Sequence, residues 1–341
     1  VFNTKARCPL MLYLEVRRMD FPISAAIEHV NDETPPADEA VATPPLESKL
    51  RKREKFEDKL SRVQASSSVG GKAGWHLSSM MVKSNDDLRQ EVFIMQMITY
   101  FGKIFPAELT WLRTYEIQAT GPDTGLMETI NSAQDIDHLK KTPGYGSLRQ
   151  LFIARYGEPG SAGFVEAQAN FCKSLAAYSV VMWLMLLRDR HNGNLMLDAE
   201  GHYFHIDFGF VLGHSTGKQI GGLVECSPFK LTPEYVAVLD GPDSPVYAKF
   251  VEGCVGAMVA AREHGETIMT MVEIVGTKSV FPCFGVMSLP HVMKQLRKRL
   301  FLDLPVAEVG EAFAKVVKKA QGHWGSRKYD WFQNKQRGIA V

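Results

Sequence analysis

One helix-length stretch constrains the fold more than any other part of this 341-residue chain. Residues 164–188 repeat apolar side chains at helical spacing, on one face at first and on all sides near the end. A helix that is apolar all round has to be buried inside a globular unit. Its most apolar part, Leu175–Leu187, has thirteen residues, whereas a membrane span needs about 18–20. The sequence therefore predicts a central core helix.

The patterns before and after this stretch differ in type. Strand patterns precede it, together with one helix pattern at 86–103 for which Asp86 and Asp87 are the expected caps. The predicted strands are 9–17, 75–83, 111–119 and 125–130. A hairpin at 195–206 and helix patterns follow, at 232–275, 287–300 and 306–320. This order predicts an α+β protein with a strand-rich first lobe and a helical second lobe.

Composition narrows the classes of partner. Lys and Arg number 39 and Asp and Glu 38, a net charge of +1, so an anionic partner would have to bind a local patch. We expect no nucleic-acid partner. The five cysteines are widely spaced and include no Cys-x-x-Cys pair, which predicts reduced thiols in the cytoplasm.

Residues 20–60 contain Pro35-Pro36 and Pro44-Pro45 among many acidic residues, which predicts a disordered insertion. A solvated helix is predicted at 47–62.

Two short polar motifs carry the chemistry. They read Asp189-Arg-His-Asn-Gly-Asn194 and His205-Ile-Asp207-Phe-Gly209. Phosphoryl transfer from a nucleotide needs a metal with oxygen ligands and an oriented acceptor hydroxyl. Asn194 and Asp207 offer such oxygens, and the hairpin between them returns one close to the other. Asp189 precedes Asn194 by five residues. Protein kinases have the same spacing between the catalytic aspartate and the metal-binding asparagine.

Each residue of these motifs also has an ordinary structural interpretation. Asp189 could be a cap, His191 a loop histidine, and Asp-Phe-Gly a chance match. Only their combination around one hairpin predicts a phosphotransferase. Lys83 ends a predicted strand, where a point charge suits a nucleotide phosphate, and Glu91 follows on the next helix. The connector that begins near Met127–Ile130 could offer backbone groups to an adenine edge.

These motifs, with Val82–Glu91, resemble the phosphatidylinositol 3-/4-kinase superfamily. The order Asp-Arg-His, in place of the His-Arg-Asp of protein kinases, is typical of that group. Within it, the chain is most similar to the catalytic domain of type III phosphatidylinositol 4-kinases of the beta type. The runs that carry this similarity are Glu225–Thr232, Met271–Ile274, Val280–Phe284 and Lys328–Gln333 with Gly338-Ile339.

The resemblance implies a two-lobed, protein-kinase-like fold and a role for each matched residue. Asp189 and His191 would serve the acceptor hydroxyl, and Asn194 and Asp207 would hold Mg2+. Residues 3–9 would form the phosphate loop, although no Gly-x-Gly-x-x-Gly precedes Lys83. The ATP site would comprise Lys83, Asp86, Glu91, Tyr115, Glu128, Ile130, Met196 and Ile206. The lobes would be 1–127 and 134–341, with a hinge at 128–133.

The loop that follows Asp207 bears on the substrate. By resemblance it is the activation loop, from Gly209 to about Thr232, and it reads the lipid headgroup. Lys218 is its only Lys or Arg before Pro228. A headgroup with additional phosphates would need several cationic donors. One lysine favours unmodified phosphatidylinositol, while the choice of the 4-hydroxyl rests on the resemblance alone.

The expected function is therefore transfer of the γ-phosphate of Mg2+-ATP to the 4-hydroxyl of membrane phosphatidylinositol. The alternatives are a protein kinase of the same superfamily, a phosphatidylinositol 3-kinase and a pseudokinase scaffold. The resemblance further implies a monomer on the cytosolic face of membranes such as the Golgi. A Rab-type small GTPase or a calcium sensor would be its activator.

The end of the chain is unusually aromatic. Trp324, Tyr329, Trp331 and Phe332 lie among basic residues, a pattern typical of a helix at a membrane interface. The alternative is a closing helix whose aromatic side chains pack onto the second lobe.

Overall fold

The computed structural model describes residues 10–17, 56–215 and 226–341. The chain divides into two compact units. One comprises the residues up to Asn85 with Leu126–Asn131, and the other comprises Asp86–Gly125 and Ser132–Val341. Strands come first along the chain and helices dominate the remainder, so the predicted α+β class is confirmed. The lobe and hinge boundaries stay a prediction. Residues 3–9, Lys218 and most of the predicted insertion at 20–60 lie outside the described residues.

The first unit is built on antiparallel strands. Its elements are β1 (Leu10–Arg17), α1 (Phe56–Ser66), β2 (Trp75–Ser84) and the last three residues of β4 (Thr124–Glu128). β1 pairs with β2 so that Leu10 lies opposite Val82. On the other side of β2, the backbone N–H of Thr129 donates to the Ser79 carbonyl at 3.2 Å. The strands predicted at 9–17 and 75–83 are confirmed. The described part of the helix predicted at 47–62 lies in α1.

The second unit begins with α2 (Arg89–Ile104), which corresponds to the helix predicted at 86–103. The predicted caps are wrong. Leu88 occupies the N-cap position and makes no side-chain cap hydrogen bond. The Asp87 carboxylate instead accepts from the backbone N–H of Arg89 at 3.0 Å and from its guanidinium at 2.7 Å. Asp87 therefore bonds the first N–H of the helix from one residue before the N-cap position, while its other oxygen pairs with the Arg89 guanidinium.

The strand predicted at 111–119 is only partly correct. β3 spans Ile117–Gly121 and is followed by β4 after a tight turn. Residues 111–116 are irregular because their backbone is bonded to a helix further along the chain. Trp111 N–H donates to the Lys173 carbonyl at 3.3 Å, and the Tyr178 hydroxyl donates to the Arg113 carbonyl at 2.9 Å. Tertiary contacts here override the strand propensity of the local sequence.

Three helices then lead to the centre of the second unit. They are α3 (Ile136–Lys141), α4 (Leu148–Tyr156) and α5 (Ala162–Met185). α5 corresponds to the predicted core helix, and from Leu175 to Met182 every residue is buried. Leu186 ends it in the left-handed region with φ 44°, so the polar loop leaves at a sharp angle. Among the described residues, no helix is long and apolar enough to cross a bilayer.

A three-stranded antiparallel sheet combines one strand from before α3 with two strands that follow α5. Its order is β5 (Ala133–Asp135), β6 (Leu195–Asp198) and β7 (Tyr203–His205). The predicted hairpin at 195–206 is confirmed, with Leu195 opposite His205. β5 was not predicted, because three residues are too few to show an alternating pattern. The hairpin begins directly after the polar loop and ends directly before Asp207.

Helices complete the second unit. The pattern predicted at 232–275 forms three helices. Asp240 and Gly241, with φ of 63° and 95°, lie between the first helix and the second. His264 ends the second helix. The helices of this part are α6 (Pro233–Val238), α7 (Pro245–Glu263), α8 (Gly265–Gly276), α9 (Pro282–Val286), α10 (Leu289–Arg299), α11 (Val306–Ala320) and α12 (Trp324–Arg337). α5 packs against α7, and α7 packs against α11.

We expect the stability of the second unit to depend on the central part of α5. Leu175 has no exposed surface, so Leu175→Ala should lower the free energy of unfolding by about 2–5 kcal/mol through lost burial and a residual cavity. Val165, on the same helix, is 52% exposed. Val165→Ala should change it by less than about 0.5 kcal/mol. Urea unfolding followed by circular dichroism measures both, and equal losses would contradict a central position for α5.

Candidate active site

The polar loop Asp189–Asn194 connects α5 to β6 and is largely buried. Asp189, His191 and Asn194 are 5%, 7% and 7% exposed. Asp189 adopts φ 60°, a left-handed conformation that a non-glycine residue keeps only with support from its surroundings. The support includes the Asn194 side-chain amide, which donates to the Asp189 carbonyl at 2.9 Å. The loop is thus folded back on itself, with its first and last residues bonded together.

The segment around Asp207 is bonded to the same loop. The backbone N–H of Ile206 donates to the Asn194 carbonyl at 3.1 Å. Arg190 is only 2% exposed, and its guanidinium donates to the Ile206 carbonyl at 2.8 Å and also to the Asp207 carbonyl. Asp207 adopts φ 59°. The two polar motifs of the sequence therefore form one cluster.

The Asp189 carboxylate is held by the last helix of the chain. The Tyr329 hydroxyl donates to Oδ1, and the Gln333 side-chain amide approaches the same oxygen at 3.4 Å. The other oxygen, Oδ2, lies 3.9 Å from Nε2 of His191. The two carboxylate oxygens thus have different neighbours. Oδ1 is oriented by α12, whereas Oδ2 faces the loop histidine.

His191 is poised as a neutral imidazole. Burial lowers its pKa, and the nearby Asp189 carboxylate offsets this only in part. The ring is therefore uncharged near pH 7. The backbone N–H of Gly193 donates to Nδ1 at 3.2 Å, an interaction that places the ring proton on Nε2. Nε2–H is thus the donor on the side that faces Asp189.

A buried ammonium joins the loop to α12 at a second point. Lys230 Nζ donates to the Arg190 carbonyl at 3.1 Å, to Asn192 Oδ1 at 3.0 Å and to Asp330 Oδ1 at 2.7 Å. The Lys230 and Asp330 side chains are 4% and 9% exposed. Three hydrogen bonds satisfy all the donors that an ammonium has. Lys230 therefore bridges the loop and α12.

Asn194 and Asp207 fit the ligand chemistry of a hard divalent cation, which prefers oxygen donors. The Asn194 amide nitrogen is engaged by the Asp189 carbonyl, so its oxygen is the atom turned the other way. The Asp207 carboxylate is exposed, and its Oδ1 accepts from the Gly209 N–H at 3.3 Å. A carboxamide and a carboxylate are thus available on neighbouring segments.

A second acidic group lies at the hairpin turn. Ligand atoms of Asp198, Glu200 and His202 are within 4.8 Å of one another. The Asp198 carboxylate, however, accepts from the backbone N–H of Glu200 and of His202, at 3.1 and 2.8 Å, and bonds the His202 ring at 3.0 Å. This group closes the turn, so we assign it a structural role.

The other predicted site residues divide between the two units. In the second, the buried Tyr115 hydroxyl donates to Glu91 Oε1 at 3.1 Å. Burial raises the pKa of Tyr115 well above its usual value, and the charges of Glu91 and Asp207 add to this. Asp86, Met196, Ile206 and Gly209 also lie in the second unit. Lys83, Glu128 and Ile130 lie in the first, on β2, on β4 and just after β4. Lys218 lies outside the described residues.

Comparison with known proteins places this cluster in a family. Residues 77–284 match the model of phosphatidylinositol 3- and 4-kinase. The chain belongs to the phosphatidylinositol 3- and 4-kinase family. The match contains both polar motifs and the hairpin between them, so the loop and the Asp207 segment are part of the kinase domain.

Curated relatives share the same region of the chain. Phosphatidylinositol 4-kinase beta 1 of Arabidopsis thaliana is 40% identical over 84% of this chain and 26% of its own length. Phosphatidylinositol 4-kinase of Dictyostelium discoideum is 36% identical over 84% and 24%, respectively. Phosphatidylinositol 4-kinase beta of Xenopus laevis is 34% identical over 84% and 35%. The chain thus spans about a quarter to a third of the length of these kinases.

Several residues of this kinase domain escaped the sequence analysis. Arg190 and Lys230 lie within quoted motifs, but a sequence does not indicate that they are buried and bonded to the loop. Tyr329 and Gln333 belong to a run that carries the family resemblance, and Tyr329 also to the aromatic tail, but the sequence does not indicate that they contact Asp189. Gln90 lies beside Glu91, and nothing in its spacing distinguishes it from a surface glutamine.

We expect the Lys230–Asp330 pair to behave as a buried, coupled ion pair. Lys230→Met or Asp330→Leu alone should lower the free energy of unfolding by about 3–5 kcal/mol, because each leaves a buried charge without its partner. The double variant should lose less than the sum of the two, by about 0.5–3 kcal/mol. Urea unfolding of the four proteins measures this coupling.

The control is the exposed pair Lys315–Glu311, with the same 2.7 Å separation and side chains 74% and 76% exposed. Lys315→Met should cost less than about 1 kcal/mol. Additive losses for Lys230→Met and Asp330→Leu would show that these residues do not interact.

Proposed function

We propose that the chain is the catalytic region of a phosphatidylinositol 4-kinase. It would transfer the γ-phosphate of ATP to the 4-hydroxyl of phosphatidylinositol. The observation that carries this proposal is the bonding of the Asp189–Asn194 loop to the Asp207 segment through Ile206 N–H and Arg190. It assembles a base candidate, a histidine and two oxygen ligands in one cluster. The names of the relatives support the lipid substrate and the 4-position.

Asp189 is the group we assign to the acceptor hydroxyl. Its carboxylate, whose Oδ1 accepts from the Tyr329 hydroxyl, would accept the hydroxyl proton. The hydroxyl oxygen then bonds to the γ-phosphorus as the bond from phosphorus to the β–γ bridging oxygen breaks, giving ADP and phosphatidylinositol 4-phosphate. His191, neutral and protonated on Nε2, would donate a hydrogen bond beside this carboxylate and orient the reacting group.

Asn194 and Asp207 are the residues that would hold the divalent cation, which we propose is Mg2+. When bound, the cation neutralises charge on the phosphates. Lys83 would contact the phosphates, and Glu128 and Ile130 would offer backbone groups to adenine. Asp86, Glu91 and Tyr115 would line the inner part of the ATP pocket. Met196 and Ile206 would lie beneath the adenine ring. Lys218 and Gly209 would belong to the loop that meets the headgroup.

We further propose that α12 contributes to membrane contact. Its face with Tyr329, Asp330 and Gln333 is buried, whereas Trp324 and Trp331 are 52% and 56% exposed. The two alternatives for the aromatic tail are therefore not exclusive: one face packs inward while tryptophans point outward. A peripheral protein on cytosolic, Golgi-type membranes, recruited by a small GTPase or calcium sensor, remains a proposal from the resemblance.

The proposal is tested by incubating the protein with γ-labelled ATP, Mg2+ and phosphatidylinositol vesicles, then determining which inositol hydroxyl carries label. We expect label at the 4-position and none on a generic peptide substrate. Asp207→Asn should abolish transfer without loss of thermal stability, because the amide removes the charge that balances the cation. Label at the 3-position or on the peptide would contradict the proposal in favour of the corresponding alternative.

His191→Ala should lower kcat by about 100-fold or more, because the donor beside the reacting hydroxyl is lost. The Kd for ATP should change little, since we assign His191 to the acceptor hydroxyl and not to the nucleotide or the cation. Steady-state kinetics and ATP titration measure these two effects. His202→Ala is the control, because this histidine closes the hairpin turn and should leave kcat within about threefold. A preserved kcat with weakened ATP binding would assign His191 to the nucleotide.

Replacing the exposed tryptophans, Trp324→Ala with Trp331→Ala, should reduce binding to anionic vesicles by about tenfold or more, because two interfacial aromatic groups are lost. Activity on short-chain soluble phosphatidylinositol should persist. Ile274→Ala, at a residue 69% exposed on α8, is the matched control. Vesicle co-sedimentation measures binding, and unchanged binding with a lower melting temperature would restrict α12 to a structural role.

A further inference from the structure

The buried carboxamide of Gln90 links three segments of the second unit. Gln90 lies in the first turn of α2 and is only 4% exposed. Its side-chain nitrogen donates to the carbonyls of Phe208 and Gly209, both at 3.0 Å. Its side-chain oxygen accepts from the backbone N–H of Cys283 at 3.2 Å. Both amide protons and one oxygen lone pair are thus engaged by backbone groups.

The two carbonyls directly follow the proposed metal ligand. Arg190 holds the carbonyls of Ile206 and Asp207, and Gln90 holds those of the next two residues. Two side chains on different elements therefore fix four successive peptide groups. Asp207 lies in the middle of this run in a left-handed conformation, φ 59°.

This arrangement controls the direction of the Asp207 carboxylate. Its Oδ1 accepts from the N–H of Gly209, and that N–H belongs to the same peptide group as the Phe208 carbonyl. A rotation of this peptide group would remove the hydrogen bond from Gln90 and the one to Oδ1 together. Mutation of a group that orients a metal ligand without binding the metal itself typically changes metal affinity or activity by about 10–100-fold.

We propose that Gln90 is a positioning residue that presents Asp207 to the divalent cation. The inference rests on the proposed function, in which Asp207 is a metal ligand. It adds a residue to which neither the motifs nor the fold alone assigns a role. Glu91, the next residue, turns to Tyr115, so the first turn of α2 serves two separate parts of the site.

The chain offers a matched control in Gln168. It is 6% exposed, and its side-chain nitrogen donates to the Val238 carbonyl and to Asp240, both at 2.8 Å. It is therefore a buried glutamine whose amide nitrogen also has two acceptors, but neither acceptor belongs to the segment around Asp207. A general effect of removing a buried carboxamide should appear equally in Gln90→Met and Gln168→Met.

The experiment measures binding of Mn2+ in the presence of ATP, by the loss of the free Mn2+ electron paramagnetic resonance signal beyond the loss in a protein-free solution with the same Mn2+ and ATP concentrations. We expect Gln90→Met to weaken Mn2+ binding by about 10–100-fold, while Gln168→Met leaves it within about threefold. Gln90→Glu keeps the volume and the acceptor for Cys283 but sets a carboxylate against two carbonyls. It should weaken Mn2+ binding at least as much. All measurements are made well below the melting temperature of each variant.

The outcomes separate this inference from the proposed function. Wild-type protein that binds Mn2+ with ATP but does not phosphorylate phosphatidylinositol would contradict the proposed function and leave the Gln90 result standing. Near-wild-type Mn2+ affinity in a folded Gln90 variant would overturn the inference. If both Gln90 variants fail to fold while Gln168→Met folds, the role of Gln90 is structural and the inference is wrong. A wild-type protein that binds no Mn2+ would contradict both.

Discussion

The buried guanidinium of Arg190 is the interaction on which the site depends. It donates to the carbonyls of Arg188, Ile206 and Asp207, and lies 5.7 Å from the Phe208 ring centroid. These groups belong to two segments that enter and leave one hairpin. The planar fork of arginine suits several carbonyls at fixed angles, which a lysine could not satisfy. The left-handed turns at Asp189 and Asp207 both occur beside residues that this side chain holds.

The loop that Arg190 organises is also supported by α12. Lys230 and Asp330 form a buried ion pair against it, and Tyr329 orients the Asp189 carboxylate. A buried charge pair costs desolvation, and its hydrogen bonds to the loop are what offset that cost. The same helix carries exposed tryptophans on its other face. One element thus contacts the proposed site of chemistry and also carries the tryptophans that we propose for membrane contact.

Regular periodicity made much of the fold predictable. The core helix, the hairpin and α11 lie where their patterns indicate, because burial alone dictates those patterns. The helical pattern predicted at 232–275 is present, but its division at Asp240–Gly241 was not predicted, because the apolar pattern continues beyond that turn. The strand prediction was wrong at residues 111–116, because their backbone groups form hydrogen bonds with α5.

The candidate site shows the same division. The two motifs and their convergence follow from sequence spacing around a hairpin. Gln90, Lys230 and Tyr329 act through contacts to residues about 100 or more positions away, which no local pattern records. The central claim is that Asn194 and Asp207, one from each motif, together bind the divalent cation. Its most direct test is anomalous diffraction from crystals grown with Mn2+ and a non-hydrolysable ATP analogue. We expect a Mn2+ peak bonded to side-chain oxygens of both Asn194 and Asp207. A peak at Asp198, Glu200 and His202, with none at Asn194 and Asp207, would contradict it.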